Sequence, residues 1–179
     1  IVAACRPDMG IGLGGGLPWR LSHDMKFFRA ATAGSAVVMG RKTWDSLPAR
    51  FRPLPGRRNI VISRSVSQLP GAEVVSSIDE AYNLTSSDPQ SRVFLIGGAQ
   101  IYNSAFAAGL VDTVLLTDIR TSFETDTKLT SFPADEQSRL SQGWIRADHE
   151  ELKVFSNFPD LEPTIEENGV SYSHVLYKR

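Results

Sequence analysis

Asp24 is the residue whose neighbours point most directly to chemistry. The spacing predicts a helix over residues 23–31. Asp24, Phe27 and Phe28 fall on one face of it at i, i+3 and i+4, with Lys26 and Arg29 elsewhere. A carboxylate among aromatic rings is short of water and suited to proton or hydrogen-bond exchange with a ligand near neutrality. The plainer reading is a first-turn carboxylate favoured by the helix dipole. Ser22 is a candidate cap for this helix.

Glycines and cations form a second set. Gly40-Arg41-Lys42-Thr43 falls where a strand meets a helix, and free backbone amides, two cations and a hydroxyl suit a phosphate. It is not a Walker motif, because Gly34 is one residue too far from Gly40 and Arg41 interrupts the Gly-Lys pair. A solvated basic turn is the alternative. Gly97-Gly98 repeats the geometry before another helix, and Ser63-Arg64 adds a cation at a third strand end. Three such ends together argue for a large phosphorylated cofactor lying across them. Gly10-Ile11-Gly12-Leu13-Gly14-Gly15 fits G-x-G-x-x-G after a strand, but Leu17-Pro18-Trp19 follows where the fingerprint needs a helix. That segment reads either as a surface loop or as a flexible lid anchored at Trp19. His23 reads as exposed, His174 as structural and Cys5 as packing, and the three histidines carry no zinc spacing.

The elements that must position these groups alternate. Strands are expected at 1–5, 36–39, 59–63, 93–96 and 113–117. Helices are expected at 42–47, at 78–84 entered through Ser76-Ser77, and at 99–108. Residues 10–16 read as a glycine-rich loop, and 121–142 as a long polar connection that is functional or hides a short element. Residues 152–158 and 171–177 alternate and suggest two antiparallel strands around Glu167-Asn168-Gly169. The fold class is therefore α/β, with a mostly parallel sheet and an antiparallel C-terminal edge.

Composition narrows the partners. The chain has 179 residues, 41% hydrophobic and 22% charged, enough for one domain with its own core. Nineteen Lys+Arg against 20 Asp+Glu leave a net charge of −1, which excludes a strongly basic nucleic-acid or membrane footprint. One cysteine cannot form an internal disulfide, so a reducing, cytoplasmic setting is expected. No apolar run approaches the roughly 18–20 residues of a membrane span, and 1–5 is too short for a signal-peptide core.

The motifs, in order, resemble dihydrofolate reductases. The residues are Ile1-Val2-Ala3-Ala4, Gly10-Ile11-Gly12 and Leu17-Pro18-Trp19-Arg20-Leu21, then residues 38–48, 51–64 and 93–102, Thr117, Asp126-Thr127 and the closing strand. Pro48-Ala49-Arg50-Phe51 and the spacing at Arg6-Pro7-Asp8 resemble fungal members most. The resemblance covers nearly the whole chain. It implies a single domain over 1–179, with an adenosine-binding part near 35–108, and an eight-stranded mixed sheet flanked by helices. It implies NADPH-dependent reduction of 7,8-dihydrofolate to tetrahydrofolate in one-carbon metabolism, with no metal, by a monomer that antifolates inhibit.

By position, the resemblance makes Asp24 the carboxylate that holds the pterin's amidine edge, oriented by Thr117, with Trp19 completing the catalytic set. Carbonyls of Ile1 and Ile96 and side chains of Val2, Ala3, Met25, Phe28 and Leu47 would line the pterin pocket, with Tyr102 beside them. Leu54 would pack on the benzoyl ring, and Arg57 would pair with the glutamate α-carboxylate. Arg41, Lys42, Thr43, Ser63 and Arg64, with Gly40, would hold the adenosine phosphates. Gly97, Gly98, Ala99, Gln100, Ile101 and Tyr102, with Ala3, Ile11 and Gly12, would hold the pyrophosphate and nicotinamide. In this family the peptide between the two glycines is cis.

Two features depart from the pattern: aspartate stands at 24 where fungal and animal members usually carry glutamate, and three glycines stand at 14–16. Three rivals remain open on sequence. A P-loop kinase conflicts with the spacing around Gly40. A non-catalytic NADPH- or folate-binding module has no need of Asp24. A reductase of a pyrimidine intermediate has no use for Arg57.

Overall fold

The apolar runs at 36–39 and 59–62 become strands buried on both faces, which alternation alone would not announce. The computed structural model describes residues 1–86 and 92–179. In chain order the elements are β1 (Val2–Cys5), β2 (Gly10–Gly12), α1 (Ser22–Thr32), β3 (Ala36–Gly40) and α2 (Arg41–Ser46). A 3₁₀ turn at Ala49–Phe51 precedes β4 (Arg58–Ile62), β5 (Glu73–Val75), α3 (Ile78–Thr85), β6 (Val93–Leu95) and α4 (Ala99–Ala107). Then come β7 (Thr113–Ile119), β8 (Thr127–Lys128), α5 (Glu136–Ser141), β9 (Ile145–Arg146), α6 (His149–Ser156), β10 (Ile165–Glu167) and β11 (Val170–Lys178).

Strands β5-β4-β3-β6 form a parallel four-stranded sheet. A second sheet runs β10-β11-β7-β1-β2-β8, with β9 on β11. There β1 lies parallel to β7, and β11 antiparallel to it, so Ala3, Thr117 and His174 form one cross-strand row. The Ile1 N–H donates to the Leu95 carbonyl at 3.0 Å and joins the two sheets. The single eight-stranded sheet implied by the resemblance is corrected: the described residues form eleven strands in a seven-stranded and a four-stranded sheet that meet at this bond.

Three expectations are corrected. Residues 152–158 are not a strand: α6 covers 152–156, because Asp148 caps it by accepting from the Glu151 N–H at 2.8 Å and Asn157 ends it at φ 52°. The partner of the last strand is β10, across a two-residue turn in which Asn168 and Gly169 both have positive φ. Residues 10–16 are not a loop throughout, since β2 pairs with both β1 and β8. The connection 121–142 does hold short elements, β8 and α5. Buried Arg139 ties it down, donating to the carbonyls of Pro133 and Ala134 and to the Tyr177 hydroxyl.

Ser22 is not the cap of α1 either. It lies inside the helix, whose flanking residue Leu21 offers no side-chain acceptor. Glu167, at the end of β10, does the capping: it accepts from the backbone N–H groups of Ser22 at 2.6 Å and His23 at 3.1 Å, and from the Tyr172 hydroxyl at 3.0 Å. Burial alone would push the Glu167 carboxyl up, but these donors outweigh it and hold it below the usual glutamate range. A depressed carboxyl stabilises the fold above its unfolded pKa and loses that contribution as pH falls through the folded value. Glu167→Ala is expected to cost about 1 kcal/mol at pH 7, the usual size of a lost cap. The gap to wild type should narrow from pH 7 to a strongly acid pH, below the ordinary glutamate range. Urea unfolding at both pH values checks this, and a gap that persists in acid would contradict the capping role.

Candidate active site

The first turn of α1 carries Asp24 against the row of Ala3, Thr117 and His174. Strand alternation places that row on the face where α1 packs. Asp24 is 8% exposed and is the one buried acidic residue among the described residues. The Thr117 hydroxyl donates to Asp24 Oδ1 at 2.7 Å, and His174 Nε2 lies 3.0 Å from the same oxygen. Oδ2 has no protein hydrogen bond among the described residues.

Sequence reasoning missed His174. It sits 150 positions from Asp24, and only the β7–β11 register could have revealed it. Its ring stacks on Phe27 with centroids 3.7 Å apart. Burial lowers its pKa, His23 lowers it further, and Asp24 pulls it partly back, so the imidazole is neutral at physiological pH. A carboxylate only accepts, so Nε2 carries the proton. Nδ1 of His174 and Nδ1 of His23 are buried without partners among the described residues. His23 is half-buried rather than exposed, edge-on to Phe158 at 5.4 Å.

Apolar groups wall the same side. Ile1, Ala3, Phe28, Leu47 and Ile96 pack, partly buried, on the cluster that holds Trp19, Phe27 and Leu54. Trp19 meets Phe123 edge-on at 5.4 Å, and its Nε1 is buried with no partner among the described residues. Val2 and Ile11 point the other way, into a cluster with Tyr102, so Val2 can meet this side only through its main chain. Met25 does not line the wall: it is 54% exposed and stands at the rim.

Arg57 lies at the outer end of this wall. Its guanidinium donates to Thr32 Oγ1 at 2.8 Å and to the carbonyls of Pro55 at 2.8 Å and Arg29 at 3.1 Å, and it lies 5.8 Å from the Phe28 ring centre. Every one of these acceptors is neutral. Burial and then the Arg29 charge lower its pKa, the mark of a cation lacking a counter-charge.

The second face is made of glycine. The Gly40 N–H donates to the Gly97 carbonyl at 2.8 Å, holding the ends of β3 and β6 together. The Gly97–Gly98 peptide is cis, and Gly97 has φ +116°, a conformation L side chains rarely adopt. A Cβ at either glycine would face Thr43 Oγ1, at 3.5 and 3.6 Å, and one on Gly40 would crowd Ile101 at 3.1 Å. The N-terminus of α4 has no side-chain cap, which leaves the amides at Ala99 and Gln100 open. Tyr102 donates its hydroxyl to the Ile1 carbonyl at 2.8 Å, linking α4 to β1.

The cations are divided. Lys42 and Arg64 are exposed, whereas Arg41 is held by Asp45 through two contacts of 2.9 and 2.8 Å. Ser63 Oγ accepts weakly from the amides of Ser65 and Val66 and shapes the turn after β4. The structure thus gathers Gly40, Thr43, Gly97, Gly98, Ile101 and Tyr102. Ile11 shares a buried cluster with Tyr102, and Gly12 follows it on β2.

Comparison with known proteins bears on these two faces together. The family model described as dihydrofolate reductase matches residues 1–157. The dihydrofolate reductase of Candida albicans is 39% identical, covering all of this chain and 95% of the relative. That of Cryptococcus neoformans var. neoformans is 37% identical over 98% of this chain and 92% of the relative. A bacterial relative, the dihydrofolate reductase of Neisseria meningitidis serogroup A, is 38% identical over all of this chain and 96% of its own length.

The glycine-rich segment between the two faces is more ordered than its composition suggests. Leu13 and Gly16 exchange both backbone hydrogen bonds at 3.0 Å, and Gly14 and Gly15 turn the chain with φ +58° and +83°, a hairpin of type I′ character. The Gly14 N–H donates to Asp126 Oδ2 at 2.7 Å. Gly16 is outside the left-handed region, and a Cβ there meets only the Leu13 carbonyl at 3.9 Å. Gly15→Ala should therefore destabilise the protein by about 1 kcal/mol or more, while Gly16→Ala should stabilise it by about 0.4–1 kcal/mol. Urea midpoints of the two variants decide it, and shifts of the same sign would show that the turn is not held as described.

Proposed function

Since the chain belongs to the dihydrofolate reductase family, we infer that it reduces 7,8-dihydrofolate to 5,6,7,8-tetrahydrofolate with a nicotinamide cofactor, and we propose NADPH as that cofactor. The observation that carries the reading is the buried Asp24 carboxylate, hydrogen-bonded at Oδ1 by Thr117 with Oδ2 left for a ligand. Arg57 supports folate over a pyrimidine intermediate, because a cation held only by neutral acceptors is completed by a carboxylate. The reading extends to a monomeric, cytoplasmic enzyme open to antifolates. It is compatible with the finding that no helix of the described residues is long and apolar enough to cross a membrane.

The residues present fit a dinucleotide. The cradle at Gly97 and Gly98 would be filled by any Cβ, Thr43 faces it, and the amides at Ala99 and Gln100 are open to phosphate oxygens. Lys42 and Arg64 are the cations free for a further phosphate, with Arg41 reaching one by leaving Asp45. When bound, the cofactor supplies the hydride that arrives at pterin C6.

The chain supplies alignment and admits the water that carries the proton. Asp24 accepts hydrogen bonds from the amidine edge of the pterin and polarises the ring, while Thr117 donates to its Oδ1. Trp19, Phe28, Leu47 and Leu54 exclude bulk water and hold the flat substrate. The proton that N5 gains comes from water admitted past the 10–19 segment, because Asp24 holds the opposite edge of the ring.

NADPH absorbance followed with and without dihydrofolate tests the activity, and no dihydrofolate-dependent loss would overturn it. Asp24→Asn should leave NADPH affinity nearly intact and slow dihydrofolate reduction by about 10²-fold or more, with partial recovery as pH falls. Near-wild-type turnover by that variant at neutral pH would reduce Asp24 to a helix-end charge. For the cofactor, a lost charge-assisted contact should make Arg64→Ala bind NADPH about tenfold more weakly and NADH almost unchanged. Equal losses in fluorescence titrations would remove Arg64 from the 2′-phosphate site.

A further inference from the structure

We propose that His174 is the positioning residue for Asp24, holding Oδ1 with its Nε2–H so that the carboxylate presents Oδ2 to the substrate in one fixed orientation. The proposal rests on the reading of Asp24 as the group that binds the pterin, and it assigns a task to a residue outside that reading.

Four observations carry it. The His174 side chain is fully buried, and its Nε2 lies 3.0 Å from Asp24 Oδ1. Because the acceptor is a carboxylate, the imidazole must be the donor. The ring's aim is set by packing and not by chance: Phe27 stacks on one face at 3.7 Å and 28°, and Tyr172 meets it edge-on at 5.6 Å and 83°. Finally, Nδ1 is left in the interior without a partner among the described residues. A histidine kept only for the core would satisfy both nitrogens or give way to an apolar ring. This one spends its single hydrogen bond on Asp24.

Two donors on Oδ1 do what one does not. Thr117 alone leaves the carboxylate free to swing about that bond. A second donor on the same oxygen, from the neighbouring strand, pins the plane of the group. The ionisable groups that face the pair are His23 on α1, with its ring 6.2 Å from that of His174, and Tyr172 on β11 with Glu167 hydrogen-bonded to its hydroxyl. Strand β7 contributes the neutral Thr117, and the segment after α6 contributes Phe158, which packs on His23 and Phe27.

The test separates the hydrogen bond from the packing. His174→Phe keeps a ring on Phe27 and removes the donor. His174→Gln removes the ring and keeps a donor nitrogen near the Nε2 position. The Phe variant should raise KM for dihydrofolate about tenfold, the scale of one lost hydrogen bond to a charged group, with NADPH affinity unchanged. The Gln variant should recover KM to within about threefold of wild type even if it melts lower. A Phe variant with wild-type KM, or a Gln variant no better than Phe, would overturn the proposal. Nitrogen-15 NMR of the ligand-free wild-type protein gives a readout without turnover: His174 should be the Nε2–H tautomer, and the Nδ1–H tautomer would overturn the proposal even where a variant fails to fold. Wild-type protein that reduces no dihydrofolate would sink the functional reading instead, and the tautomer would then decide alone whether His174 donates to Asp24.

Discussion

A carboxylate taken out of water must find donors inside the protein, and the arrangement around Asp24 follows from that demand. Burial without partners would cost several kcal/mol or force the group to neutralise. The fold answers with a hydroxyl from β7 and an imidazole from β11, both on Oδ1. Those donors arrive only if β1, β7 and β11 keep their register, because a slip of one residue would turn Thr117 and His174 to the opposite face. The helix that carries Asp24 must in turn enter at one angle, and Glu167 sets it by taking the first free amides of α1. Register, helix entry and buried charge are therefore one constraint seen at three scales.

The nucleotide-suited face is joined to this centre by β1. At its start, Ile1 gives its N–H to β6 and its carbonyl to the Tyr102 hydroxyl of α4. Two residues further on, Ala3 pairs with Thr117. A strand of four residues thus spans from the glycine cradle to the carboxylate, and the distance between the two faces is fixed by backbone and not by flexible side chains.

What could be read from the sequence was local. Gly40-Arg41-Lys42-Thr43 and Gly97-Gly98 announce strand-to-helix junctions because glycine and its neighbours constrain their own backbone, and those junctions stand where they were expected. Asn168-Gly169 announced its turn for the same reason. What escaped was long-range. His174 and Glu167 act on residues about 150 positions away, and Arg139 is buried by a carbonyl cage that no pattern encodes. Alternation misread 152–158 because exposed Val154 between buried Leu152 and Ser156 also fits a helix once Asp148 caps it. Resemblance supplied Thr117, a position at which composition and periodicity were silent. It supplied nothing for His174.

The cap on α1 has a consequence for how the protein is made. A ribosome delivers residues in order, and Asp24, with the amides of its helix, emerges long before its partners. Thr117 follows about ninety residues later, and Glu167 and His174 come close to the end of the sequence described here. Until those residues emerge the helix that bears the site lacks its cap, and the carboxylate stays in water where it belongs without donors. The parallel sheet of β3 to β6 depends on none of these late residues and can pair first. The nascent chain therefore holds a nucleotide-suited half before it holds a substrate-suited one, and the two become a single machine only when the last hairpin closes.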